Sequence, residues 1–285
     1  MNRLLKAEIG ENLRLWYDKN DKYIGQRIAE GKYETYETKL ILCLINENSV
    51  VVDVGANIGY YTLLMAKKAK RVYAFEPEGR NFEILKKNII ENNLRNVVLV
   101  KAAVGEKKGF VDLLISAENF GDHTVLTGID NNRKIERVKL VSLDDYLKKE
   151  KCIDLLKIDT QGFEPLVIGG SKKMISKFKP SIFLEYFPGR YKEMGVNGEE
   201  MLATLKSSYK SIYAIDDYLR ICPTADDSVI GRYCRRVQGY VDLWMTTDKL
   251  ASGLKNRFWR DLRWKKLLKT MLGKSDVSYF GGDEQ

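Results

Sequence analysis

From residue 50 onward, short apolar runs alternate with longer stretches of helical spacing, an order that few folds accept. The apolar runs are 50–54, 72–75 and 97–104, and between them 58–68 and 81–92 repeat their apolar positions with helical period. Strands buried on both faces read as continuous apolar runs, and strands separated by helices must lie parallel, so the pattern predicts a doubly wound α/β sheet with helices on both faces. The rhythm resumes with a strand at 154–158, a helix at 165–178, a strand at 181–186 and a helix at 199–207. Two last strands, 211–215 and 240–246, bring the count to seven. Between Gly109 and Val141 the rhythm is interrupted by FVDLLIS and ERVKLVS around the polar loop AENFGDHTVLTGIDNN, which predicts a hairpin inserted over the edge of the sheet. Residues 1–46 read as a helical cap, with Leu13, Trp16 and Tyr17 among its apolar positions, 47–248 as the α/β domain and 249–285 as a basic tail.

The formal net charge is +9, and its location matters more than its size. The stretch 249–274 holds nine Lys or Arg and one acid, Asp261, so it carries +8 and the rest of the chain about +1. That distribution argues against a nucleic-acid-binding surface spread over the whole protein. At 44% hydrophobic and 31% charged residues, no run approaches the roughly 18 apolar residues of a membrane span. The first residues also lack the apolar core of a signal peptide, which predicts a cytoplasmic protein. The four cysteines, 43, 152, 222 and 234, have none of the spacings of a zinc site or redox pair and read as ordinary thiols.

The loop after the first sheet strand, DVGANIGYYT at 53–62, carries the most chemistry. Gly55 and Gly59 provide a sharp turn that lets a ligand come close to the backbone at the start of a helix. A dinucleotide loop needs G-x-G-x-x-G, whereas Asn57 occupies the middle glycine position, which weakens a pyrophosphate reading. S-adenosylmethionine has no phosphate. It needs a close backbone, an acid near its ammonium and an acid for its ribose diol, which Asp53 and Glu76 supply. Glu76 ends the second strand 21 positions after Gly55, near the spacing of about 20 for a ribose-binding acid.

Six blocks, taken in order, resemble the FkbM family of methyltransferases: DVGANIGYYT at 53–62, EPEGRNFEILKKNIIENN at 76–93, AAVGEKKG at 102–109, SLDDYL at 142–147, KIDTQGFEPLVIGG at 157–170 and FLEY at 183–186. The resemblance implies a class I methyltransferase with a Rossmann-like, seven-stranded, mostly parallel sheet whose last strand runs antiparallel. It also implies methyl transfer from S-adenosylmethionine, mostly to oxygens of sugars and other small or glycosidic acceptors. By resemblance, Gly55, Asn57 and Gly59 line the methionine portion of the cofactor, Glu76 holds the ribose and the backbone near Ala103 borders the adenine. The chain departs from the family's KIDVEGAE-like block at Gln161, which replaces a glutamate, and at Phe163, which replaces a small residue.

Methylating a hydroxyl requires a positioned base at the carboxyl ends of the strands. Asp159 and Glu185 stand there as candidate catalytic residues and cofactor neighbours, with His123 of the insertion loop as a third candidate base. Glu164 and Tyr186 are candidate acceptor contacts. A divalent ion held by the carboxylates is an alternative, with its ligands left open. Basic residues mixed with Trp and Leu over 250–272 suit peripheral contact with an anionic membrane, at its inner face. Two further readings are an enzyme that grips RNA or a nucleotide through this tail, and a non-catalytic scaffold on a membrane surface with a retained fold. Against RNA, KIDTQGFE stands where amino-methylating enzymes place N-P-P-[FY].

Overall fold

The computed structural model describes residues 3–116, 124–125, 134–215, 221–223, 230 and 239–247. In chain order these hold β1 (Leu4–Ile9), β2 (Leu13–Asp18), α1 (Gly25–Ala29), α2 (Thr35–Leu44), β3 (Val50–Val54), α3 (Tyr60–Ala66), β4 (Arg71–Phe75), α4 (Gly79–Glu91), β5 (Val97–Val100) and β6 (Ala103–Val104). Next come β7 (Gly109–Ile115), β8 (Thr124–Val125), β9 (Lys134–Val141), α5 (Leu143–Tyr146), β10 (Leu155–Ile158), α6 (Glu164–Gly169), α7 (Lys172–Phe178) and β11 (Ser181–Tyr186). The remainder are α8 (Pro188–Glu193), α9 (Gly198–Ser208), β12 (Ser211–Ile215), β13 (Ile221–Pro223) and β14 (Val241–Thr246). His123, Phe120 and the basic stretch 249–285 lie outside the described residues.

The main sheet has the order β13-β12-β14-β11-β10-β3-β4-β5. Strands β11, β10, β3, β4 and β5 are parallel, and β14 runs antiparallel to both β11 and β12. This is the expected seven-stranded class I methyltransferase sheet, extended at one edge by the three-residue β13. After β3 the chain builds outward through β4 and β5, then returns to the other side of β3 with β10 and β11. The order therefore reverses between β3 and β10, and the crevice beyond their carboxyl ends is where such sheets bind ligands. All five residues of β3 and all four of β10 are buried, which is why both read as uninterrupted apolar runs apart from Asp53 and Lys157.

The insertion is a hairpin as expected, β7 pairing antiparallel with β9 from Gly109↔Leu140 to Ile115↔Lys134. It joins β6 and β8 in a separate four-stranded sheet. The run 97–104 consequently divides. Ala102 N donates to Val100 O, a tight turn that carries the chain from β5 in one sheet to β6 in the other.

Residues 1–46 are not a purely helical cap. Residues 4–18 form a β-hairpin in full register from Leu4↔Asp18 to Ile9↔Leu13, followed by α1 and α2. Ile9, Leu13, Leu15 and Tyr17 enter one apolar cluster with Ile58 and Leu63 of the loop–α3 region and with Ile84, Leu85 and Ile89 of α4. Two asparagines on α4 fasten the hairpin. Asn88 accepts from Trp16 N (2.6 Å) and donates to Trp16 O (3.0 Å), while Asn92 accepts from Arg14 N (2.8 Å) and donates to Arg14 O (2.7 Å). One helical turn rises about 5.4 Å and two strand residues span roughly 6.7 Å, so side-chain amides four apart can pair with alternate peptide groups as a neighbouring strand would. Asn88 also donates to Ile58 O at 2.7 Å, tying hairpin, ligand loop and helix together at a fully buried point.

Replacing Asn88 with Ala removes these bonds and leaves buried peptide groups unpaired. Urea unfolding of Asn88→Ala is expected to show a loss of roughly 3 kcal/mol. The more exposed Asn92→Ala is expected to lose about 1 kcal/mol.

Candidate active site

The loop between β3 and α3 passes through three residues of positive φ: Gly55 (+81°), Asn57 (+51°) and Gly59 (+97°). Its backbone donors turn inward. Gly55 N and Ala56 N both donate to Phe75 O at the end of β4 (3.0 Å each), Asn57 N to Glu76 Oε2 (2.8 Å), Ile58 N to Asn57 Oδ1 (2.7 Å) and Gly59 N to Ala56 O (2.9 Å). Five successive N–H groups are thus spent within the protein, and the loop presents no cradle of donors for a pyrophosphate. At Gly55 a Cβ would fall on the Asp159 carbonyl oxygen, so only glycine lets β3 and β10 close together at their ends. Gly59 does not line the cavity. A Cβ there would meet Leu85 Cδ1 at 2.6 Å, so this glycine serves the packing of α3 on α4, a correction to its expected place beside a ligand.

Beyond the strand ends lies a cavity of about 440 Å³, lined by Asp53, Gly55, Asn57, Glu76, Ala103, Asp159 and Glu185 among others. Asp53 is fully buried. Its Oδ2 accepts from Thr62 Oγ1 (2.6 Å), and its Oδ1 has no hydrogen-bond partner among the described residues. Burial raises its pKa, opposed by the Lys157 charge and the Thr62 bond. Glu76, 5% exposed, accepts from Asn57 N and from Glu78 N (2.9 Å). Burial pushes its pKa up to about 8, against those two backbone bonds.

Lys157 is the buried cation of this floor. It lies opposite Asp53 in the β10–β3 register, with Nζ 3.3 Å from Asp159 Oδ2 and 4.6 Å above the Tyr61 ring. Burial alone would lower its pKa, but the charges of Asp159, Asp53 and Glu34 overcome that and hold the ammonium well above the usual lysine range. Tyr61 Oη in turn donates to Glu34 Oε2 at 2.6 Å.

The 159–164 loop sets the opposite wall. Gln161, itself at φ +55°, donates through Nε2 to both Asp159 Oδ1 and Glu185 Oε2 (3.1 Å each). An amide can bridge two carboxyl groups where the glutamate usual at this place would add a third acid. Glu164 is fully buried and accepts from Thr160 N and Thr160 Oγ1 (2.8 Å each) and from Gly162 N (3.0 Å), so it shapes the loop from beneath. Neither Glu164 nor Tyr186, both expected acceptor contacts, lines the cavity. Tyr186 packs edge-on against Tyr191 in the core. Phe187 and Arg190 from the same turn line it instead, with Tyr23, Tyr33 and Tyr240. Reading the sequence did not single out Lys157, Tyr61 or Glu34. For Lys157 a signal was present, since a lysine within the buried strand LLKI must face a charged partner. Among the described residues no group of three or more His, Cys, Asp or Glu is placed to hold a metal ion.

A family model described as "Methyltransferase FkbM domain" matches residues 53–215, more than half of the chain. The chain belongs to the FkbM methyltransferase family. Among curated proteins it is similar to Methyltransferase 1 of Beauveria bassiana, 27% identical over an alignment 146 residues long that covers 44% of this chain and 59% of that protein. It is also similar to a probable ribosomal RNA small subunit methyltransferase A of Methanosphaera stadtmanae, 44% identical over 57 residues, 20% of this chain and 21% of that protein. The chain thus spans between a fifth and three fifths of the length of these relatives. Similar solved structures include methyltransferase FkbM from Methylobacillus flagellatus KT, at 17% identity and TM-score 0.44 over 70% of this chain and 44% of that one. Another is M. jannaschii TYW2 in complex with AdoMet, at 17% identity and TM-score 0.45 over 86% of each chain.

The cofactor of this FkbM methyltransferase domain is S-adenosylmethionine, and the residues present fit it. The orphaned Asp53 Oδ1 is a buried acceptor that suits a donor such as an ammonium, and the carboxyl group of Glu76 keeps lone pairs for a diol. The raised pKa of Glu76 has a consequence for stability. The folded protein keeps this proton up to about pH 8, while the unfolded chain loses it near pH 4.5, so the contribution is full below 4.5 and is lost as pH rises through 8. Thermal melts of the cofactor-free protein from pH 5 to 8.5 are expected to show a falling midpoint, with a shallower fall in Glu76→Gln. A midpoint that rises over this range would contradict the assignment.

Proposed function

We propose that the protein transfers a methyl group from S-adenosylmethionine to a hydroxyl of a sugar, in a glycan or glycoconjugate, with Asp159 as the base. The observation that carries this reading is that Asp159 lines both the cofactor cavity and a smaller cavity beside it. When bound, the cofactor supplies a methyl group on a cationic sulfur, open to attack by an oxygen. The protein's task is to orient that oxygen, exclude water and take its proton.

The two acids joined by Gln161 divide the work. Burial, and then the neighbouring charge of Asp159, hold the Glu185 pKa well above the carboxylate range, so Glu185 keeps its proton and can donate a hydrogen bond to the acceptor. Asp159, ion-paired with Lys157, is left to receive the hydroxyl proton as the oxygen is methylated. Tyr33, Phe187 and Tyr240 supply aromatic faces at the cavity, surfaces on which a sugar ring can rest. His123 belongs to the insertion loop and lies outside the described residues.

The archaeal relative named for ribosomal RNA favours an RNA acceptor as a second reading. Both are tested by incubating the protein with methyl-labelled cofactor and fractionated cell extract. Label is expected in glycan, with Asp159→Asn reducing turnover by about 100-fold or more while cofactor affinity changes by only a few-fold. Wild-type turnover in Asp159→Asn would remove the base, and label in RNA would replace the sugar.

A further inference from the structure

A second cavity of about 240 Å³ adjoins the first, and Glu34, Tyr61, Asp159 and Glu185 line both. Its other walls come largely from residues that flank the matched family domain: Arg27, Glu37 and Ile41 before it, Tyr240 and Asp242 after it. Residues 53–215 therefore supply the cofactor end, and the flanking segments supply much of the remaining wall.

Glu34 is the residue on which this wall turns. It stands at the N-cap of α2 with φ 36° and ψ 47°, a left-handed conformation uncommon for a residue other than glycine. Its side chain makes no cap bond to α2 and instead reaches Tyr61. The segment is held firmly. Asp21 accepts from Ile24 N (3.0 Å) and Gly25 N (3.1 Å), Tyr33 meets the Tyr60 ring edge-on at 5.2 Å, and Tyr60 Oη donates to Tyr33 O at 3.5 Å. A strained backbone anchored to Tyr60 by Tyr33 before it and Thr38 after it, directing a carboxylate into a cavity instead of onto its own helix, points to a functional constraint.

We propose that Glu34 selects the acceptor, accepting a hydrogen bond from a hydroxyl of a neutral, polyhydroxylated molecule seated across the junction of the two cavities. The inference rests on the sugar-methylation reading and narrows it. Glu34, Glu37, Asp159, Glu185 and Asp242 face Arg27, Lys32 and Lys157 around the second cavity, and burial holds Glu185 and Asp242 in the protonated form. Lys32 is paired with Glu30 and Lys157 with Asp159. Such a wall offers hydrogen-bond donors and acceptors to hydroxyls, while the pairing of Lys32 and Lys157 leaves little cationic charge for a phosphate, which disfavours nucleotides and phosphorylated sugars as acceptors.

The test uses the full chain as wild type, Glu34→Gln and Glu34→Ala, with methyl-labelled cofactor and three extract fractions: neutral glycans, phosphate-bearing glycans and RNA. Wild type is expected to label neutral glycans. Glu34→Ala is expected to raise the KM for that fraction by about tenfold or more, Glu34→Gln less, with the cofactor Kd of both within twofold of wild type. Glu34→Gln and the thermal midpoints of both variants serve as folding controls for the start of α2. An unchanged KM in Glu34→Ala, or a cofactor Kd that rises in step with KM, overturns the role of Glu34 and leaves the transfer reading intact. Wild-type label in RNA or phosphate-bearing glycans overturns the neutral acceptor. Cofactor binding without label in any fraction overturns the transfer reading and this inference together.

Discussion

The ion pair between Lys157 and Asp159 is the interaction on which the site depends. Parallel strands packed side by side bring Asp53 and Lys157 together at the centre of the sheet, and the turns that follow add Glu76 and Asp159. Acids crowded in a region that excludes water would repel one another and take up protons. One buried ammonium offsets much of that repulsion. It is held by Asp159 on one side and by the Tyr61 face on another, and both cavities open onto it. Removing it would leave buried carboxylates without a counter-charge, a loss that commonly costs several kcal/mol.

The remaining geometry can be traced to the same crossing point. Gly55 is glycine because the Asp159 carbonyl occupies the space of a side chain, so the ligand loop and the base-bearing loop are built against each other. Glu164 braces the second loop from below, and Gln161 couples Asp159 to Glu185 from above. The first loop is pinned to β4 through Phe75 and Glu76, the latter being the proposed ribose ligand. The loops proposed for cofactor contact and for acceptor activation are therefore mechanically joined.

Much of this was legible in the sequence where burial is two-sided. Strands 50–54 and 181–186 were read with the observed bounds because a strand inside the sheet is buried on both faces and its run stops when the chain leaves the sheet. Asp53 and Glu76 were legible because strand ends place residues predictably. The N-terminal hairpin was misread as helix because its apolar positions satisfy a loose helical spacing, while the evidence for strands is long-range, in the amides of Asn88 and Asn92. The helix at 165–178 divides after Gly169, where Gly170 packs against the Gly105 backbone too closely for any side chain. Glu34 could not have been found by pattern, since its meaning comes from Tyr61, 27 residues away in the chain. Glu164 and Tyr186 were misplaced for the complementary reason: position near a strand end does not say which way a side chain turns.

Asp53 and Glu76, a buried acid pair at this crossing point, are proposed to hold S-adenosylmethionine, with the Asp53 oxygen that has no partner among the described residues as the most specific element. Isothermal titration of wild type and Asp53→Asn with S-adenosylmethionine tests it most directly. Wild type should bind with one site per chain, and Asp53→Asn, similar in shape but uncharged, should weaken affinity by about 30-fold or more, as expected for loss of a buried charge-assisted bond. Equal affinity in the two proteins would contradict the account.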